Sequence, residues 1–310
     1  MTPVPAELVA LSGERFEFNG RAGRLCGYFD APAAANAATA AAAPLLLVHS
    51  MNAAASAAEV KPLFDHARRS RPVLALDLPG FGLSDRSDRA YTPRLMTDAV
   101  HDALDWLARR CGPQPVDVLG VSLGCEFVAR AAVEAPARCR RLALVSPTGF
   151  RGSKLRYAPA GGSVGPPWLL KAFQGPGFHT GSGWGAGLFR QLTRPGVIRY
   201  FLERTWGSKA IDETLWRYCV ATTRQPGAHF APLHFLGAVL FSSDVNSLYE
   251  ALSQPVWMSH GTRGDFTDYR GKHTVENRAN WRIRVFQDTG ALMYFEQPAA
   301  FCAELDRFLD

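Results

Sequence analysis

The sequence predicts an α/β fold, a mostly parallel central sheet flanked by helices, with an inserted, mainly helical lid. Short apolar runs alternate with helix-like stretches on both sides of a central segment, which is the pattern of parallel strands joined by crossover helices. From about residue 151 to about residue 254 that alternation stops, and glycine and proline clusters interleave with helical pieces. Finally, the pentapeptide Gly120-Val121-Ser122-Leu123-Gly124 joins the apolar run 115–118 to the helix-like stretch 125–132, so it reads as strand, tight turn and helix.

Taken in order, Arg15-Phe16-Glu17-Phe18 and the run 24–29 read as two strands, with a hairpin turn expected at Asn19-Gly20. The alanine-rich tract 31–43 shows no polar/apolar period and reads as a surface connection. Buried strands follow at 45–48, 73–76, 116–119 and 142–145, then at 256–258 and 283–286 beyond the insertion. Between Thr92 and Arg110, Met96, Val100, Leu104 and Leu107 fall at helical spacing. This order assigns residues 1–150 and 255–310 to the core and 151–254 to the lid. It also puts Ser122 at the C-terminal end of a central strand, where open α/β sheets bind their ligands. The lid is rich in large aromatics, most of which are expected to form its own core.

Composition bounds the function. The 310 residues, 47% hydrophobic and 20% charged, are ordinary globular material, and the net charge of +6 comes from scattered arginines rather than from a nucleic-acid-binding stripe. Six cysteines show neither C-x-x-C pairs nor metal-ligand spacing, so free thiols in a reducing cytoplasm are expected and no metal site is. No secretory signal is visible at the start, and the tract 31–48 is too interrupted by Pro32, Asn36, Thr39 and Pro44 to span a membrane. Asp77-Leu78-Pro79-Gly80-Phe81-Gly82 lacks the lysine of a P-loop and the spacing of a dinucleotide site. It reads as a tight turn at the pocket floor, and no cofactor is implied.

Glycines flank Ser122 because a strand-to-helix elbow brings two backbones together and leaves no room for Cβ atoms. Such a turn lifts a hydroxyl to a helix N-terminus, where backbone N–H groups can stabilise a developing oxyanion.

These residues resemble the α/β-hydrolase superfamily over nearly the whole chain outside the lid. The landmarks are Leu47-Val48-His49-Ser50-Met51-Asn52, the 76–85 run, the elbow, Val145-Ser146-Pro147-Thr148-Gly149, the 255–265 run and Phe295-Glu296-Gln297-Pro298. The resemblance implies Ser122 as nucleophile, Asp265 as the acid, with Asp268 a weaker match, and an oxyanion hole from the N–H groups of Met51 and Leu123. A serine at 122 argues against the branches with a carboxylate nucleophile. His49 and Ser50, together with Glu126, Trp184 and Phe230, are the further candidates for substrate contact, although the resemblance favours His49 as a support beneath the oxyanion loop. The family usually has glycine where Ser50 stands, so a positive φ there would be strained.

The third triad member departs from the pattern. Ala291 stands where the family histidine is expected, and without a base a serine hydroxyl is a poor nucleophile. Three readings follow: an engineered substitution, a natural alanine with the base supplied elsewhere, or a scaffold that has lost hydrolysis. His49, His260 and the lid residues His179, His229 and His234 are the substitute bases to consider, while His66, His101 and His273 are expected on surface helices. The expected activity is hydrolysis of an ester, thioester or related small acyl compound with an apolar moiety, impaired in this chain. The alternatives are a lyase or C–C bond hydrolase on the same scaffold, and a non-catalytic ligand-binding homologue.

Overall fold

A computed structural model describes residues 9–32, 42–150, 172–173, 175, 177–179, 183–263 and 268–310. Eight strands form one sheet: β1 (Glu14–Gly20), β2 (Gly23–Asp30), β3 (Leu45–Val48), β4 (Val73–Asp77), β5 (Val116–Val121), β6 (Cys139–Val145), β7 (Val256–Gly261) and β8 (Trp281–Phe286). Their spatial order is β1-β2-β4-β3-β5-β6-β7-β8. β2 pairs antiparallel with β1 and β4, and every later pairing is parallel.

The middle strands are apolar throughout because both faces of the sheet are covered. Leu46, Val48 and Val118 face one core with Met96, Val100 and Leu104 of α2 (Pro93–Cys111) and Val128 of α3 (Gly124–Glu134). Leu45, Leu47 and Leu119 face the other, with Leu63 and Phe64 of α1 (Lys61–Ala67) and Phe301 and Leu305 of the C-terminal helix Pro298–Leu309. Helix α2 starts where the sequence suggests: Thr92 Oγ1 accepts from Leu95 N at 3.2 Å, Pro93 takes the first turn, and Gly112 at φ 89° ends it.

Two expectations are corrected. The hairpin turns at Arg21-Ala22 rather than Asn19-Gly20, since Asn19 pairs with Arg24 and Gly20 with Gly23 inside the ladder. A tertiary contact fixes this register: Asp102 of α2 accepts from Ala22 N at 2.9 Å, and a Cβ at Gly20 would lie 2.2 Å from its carboxylate. His101 is not on a surface; it is 6% exposed, with Nε2 2.8 Å from Glu134 of α3.

Between β6 and β7 the described residues carry five helices and no strand: α4 (Trp184–Leu192), α5 (Pro195–Trp206), α6 (Glu213–Thr222), α7 (Phe230–Leu236) and α8 (Val245–Ala251). After β8 come α9 (Met293–Glu296) and α10 (Pro298–Leu309). No helix among the described residues is long and apolar enough to cross a membrane.

Candidate active site

Ser122 lies between β5 and α3 with φ 52°, a conformation a non-glycine residue holds only when its surroundings enforce it. Two backbone bonds do so: Ser122 N donates to Val145 O at 2.8 Å, and Cys125 N donates to Ser122 O at 3.1 Å. The flanking glycines are required by contact. A Cβ at Gly120 would meet Cys125 Cα at 3.0 Å, and one at Gly124 would meet His49 O at 2.5 Å. The second clearance seats the 49–51 loop on the first turn of α3.

That loop is built from buried hydrogen bonds. Leu78 N donates to His49 Nε2 at 3.0 Å, so the ring proton sits on Nδ1, which donates to Ser50 O at 2.6 Å. His49 is fully buried, and burial lowers its pKa to about 4, so it stays neutral and both ring nitrogens serve backbone. Ser50 is not among the residues with positive φ, so serine is tolerated there without strain. Its N–H and hydroxyl both donate to the Glu59 carboxylate at 2.7 Å. Among the described residues, neither Met51 N nor Leu123 N has a protein acceptor. Backbone donors left free in this way are what an oxyanion hole would require.

Position 291 is carried to the same strand ends. Ser146, the residue after the carbonyl that binds Ser122, has φ 47° and donates its hydroxyl to Ala291 O at 2.7 Å. Gly290 N donates to Glu296 Oε1 at 2.6 Å, and the other oxygen of Glu296 pairs with Arg263 at 2.5 Å. A Cβ on Gly261 would lie 2.2 Å from Thr289 O, so the chain leading to Ala291 crosses directly over the end of β7. Asp265 lies outside the described residues. Asp268 accepts from Arg270 Nε at 2.9 Å.

No histidine among the described residues hydrogen-bonds to Ser122. His260 Nδ1 is 3.0 Å from Gly261 O, its Nε2 is 3.3 Å from Lys272 Nζ, and its ring stacks on Tyr269. His179 and His234 stack with ring centroids 4.2 Å apart, and burial lowers the pKa of both. His66 binds Asp306 and His273 binds Arg270 O.

The other candidates engage other partners. Glu126 is 1% exposed and accepts from Thr148 Oγ1 at 2.5 Å and Ser242 N at 2.7 Å; burial raises its carboxyl to about 7. It ties α3 to the helical insertion. Trp184 is half exposed and its ring lies 4.7 Å from that of Phe178, while Phe230 is buried with its ring 4.1 Å from that of His229. Glu59 and Ser146 were not singled out by the sequence. The serine ending an apolar strand was a visible signal, whereas the Ser50–Glu59 contact left none.

A small, open depression, with room for about one water molecule, lies between Ala53, Ala55, Phe81, Arg86, Thr222 and Pro232. Its lining mixes small apolar side chains with Arg86, Thr222 and Thr223. Among the described residues no cluster of three or more His, Cys, Asp or Glu side chains could hold a metal ion.

A family model described as the alpha/beta hydrolase fold matches residues 43–174. The dihydrolipoyllysine-residue acetyltransferase component of the acetoin cleaving system of Cupriavidus necator is 40% identical over 81 residues, 25% of this chain and only 20% of that protein's length. Among solved structures, carboxylesterase CesB from Bacillus subtilis superposes with a TM-score of 0.67 at 18% identity, covering 98% of this chain and 93% of the other. A meta-cleavage product hydrolase from Pseudomonas fluorescens IP01 gives 0.66 at 16% identity, with 94% and 96% covered. At such identities the superpositions establish the fold alone.

Proposed function

We propose that this chain, which belongs to the α/β-hydrolase superfamily, is a serine hydrolase for an ester, thioester or related acyl compound with an apolar moiety. One observation carries the reading. Ser122 is held at φ 52° on a glycine-flanked elbow, and among the described residues neither Leu123 N nor Met51 N has a protein acceptor. A structural turn has no need of that strain, whereas a nucleophile does.

In this reading the Ser122 hydroxyl adds to the substrate carbonyl, and Leu123 N and Met51 N hold the oxyanion. Collapse of the tetrahedral adduct expels the alcohol or thiol and leaves an acyl-serine, which water then hydrolyses. Asp265 is the acid that would orient a base at position 291, where the chain has alanine. Both acylation and deacylation need a proton acceptor, so both are slow and the acyl-enzyme is long-lived.

Intact-mass measurement after incubation with an activated p-nitrophenyl ester tests this. The expected result is a persistent adduct of one acyl group on the Ser122 peptide, absent in Ser122→Ala. An adduct that survives Ser122→Ala, or no modification of Ser122 even by a fluorophosphonate, would refute it.

A further inference from the structure

Four large hydrophobic side chains are strongly exposed among the described residues, and three of them, Trp184, Tyr200 and Phe201, lie on α4 and α5. Helix α5 is apolar on two sides. Its inner side presents Ile198, Leu202 and Trp206 at four-residue spacing to the core, with the Trp206 ring 3.7 Å from that of Phe295. A helix that packs on one side ordinarily carries a polar back. Here Val197, Tyr200, Phe201 and Arg204, at i, i+3, i+4 and i+7, form one contiguous outward stripe, with Tyr200 54% and Phe201 52% exposed.

The charge around that stripe is mostly positive. From Trp184 to Trp206 there are four arginines, at 190, 194, 199 and 204, against the single acid Glu203. Arg199 is turned aside by Glu213, at 2.8 and 2.6 Å, and by the Trp216 ring. Arg190 and Arg194 stand exposed at the junction of the two helices, and Arg204 lies beside Tyr200 with Nη1 3.3 Å from its hydroxyl.

We propose that the outward face of α5 docks on an anionic lipid surface. Tyrosine and phenylalanine rings settle at the boundary of headgroups and acyl chains, and guanidinium groups beside them reach lipid phosphates while their stems cover apolar surface. The positive excess selects an anionic over a zwitterionic surface. With a single short stripe the attachment is peripheral and reversible. The inference stands on the surface of α5 alone and is independent of the reaction proposed for Ser122.

The test is co-sedimentation of the full chain with large vesicles of phosphatidylcholine alone, or of phosphatidylcholine mixed with phosphatidylglycerol. The expected result is binding to the mixed vesicles that weakens as salt rises from about 0.1 to about 1 M, where the screening length shortens to about 3 Å. The Tyr200→Ser/Phe201→Ser double variant should lose about tenfold or more in partitioning. Arg190→Gln/Arg194→Gln should lose the preference for phosphatidylglycerol. All four positions are at the surface, so a melting curve matching the parent's is expected and confirms that folding is intact. Equal or no binding to the two vesicle types, or undiminished binding of the aromatic double variant, would overturn the proposal. So would self-association of the parent without lipid that the double variant abolishes, since a second copy would then be what covers this face.

Discussion

Ala291→His places an imidazole on a backbone that is already clamped. The carbonyl of residue 291 accepts from Ser146 at 2.7 Å and the preceding Gly290 N–H is held by Glu296 at 2.6 Å, so the Cβ direction is fixed before any side chain is added. The Ser122 N–H is bonded to Val145 O, one residue before Ser146, which puts serine and imidazole at adjacent strand ends. In subtilisin, loss of the base costs on the order of 10⁶ in kcat, about 8 kcal/mol, and that is the ceiling on what can be recovered. Loss of the orienting carboxylate alone costs about 10⁴, so an imidazole without help from Asp265 should recover roughly 10²-fold and an oriented one far more. The assay is kcat/KM on a short-chain p-nitrophenyl ester across pH. A new rising limb should appear near pH 6.5 as the introduced imidazole becomes neutral. A gain below about tenfold, in a variant that melts like the parent, would refute the placement of residue 291 beside the nucleophile.

Two further predictions concern the scaffold. His49→Ala removes two backbone hydrogen bonds and leaves a cavity, at a cost of about 2–5 kcal/mol near pH 7.5 by denaturant unfolding. The folded His49 pKa is lowered to about 4 against about 6.5 unfolded, so below pH 6.5 only the unfolded chain takes up that proton and its stabilising effect fades towards pH 4. The gap between parent and variant should therefore narrow by about 3 kcal/mol between pH 7.5 and pH 4; a constant gap would contradict a buried neutral ring. Gly261→Ala forces a Cβ to within 2.2 Å of Thr289 O and 2.3 Å of Gly290 O, both backbone atoms, so the 289–291 segment must move. A loss of about 1–3 kcal/mol is expected, and Gly261→Ala combined with Ala291→His should forfeit most of the activity gain. Full retention of that gain would show that the crossing does not position residue 291.

The strands, the elbow and the span of α2 were legible because their signals are local. Period and flanking glycines are each set by residues within one turn or strand of one another. The hairpin was misplaced because its register is decided by Asp102, which is 80 residues from Ala22 in the chain. His101 fell on the wrong face for a similar reason, since its partner Glu134 belongs to another helix. His49 was favoured from the sequence as a support beneath the oxyanion loop, but the groups it serves, Leu78 N and Ser50 O, are set by a contact 29 residues apart.

The sequence by itself determined the α/β architecture, the serine on its elbow and the alanine where a base is expected, because these depend on residue type and short-range spacing. Tertiary structure decided which polar groups are spent and which are free. It consumed His49, His260 and Glu126 in buried hydrogen bonds, relieved Ser50 of a strained backbone, and left Met51 N and Leu123 N without acceptors among the described residues. It also turned one aromatic stripe of α5 outward. The physical reason is that hydrogen-bond satisfaction and exposure are settled between elements far apart in the chain, by packing that no local pattern encodes.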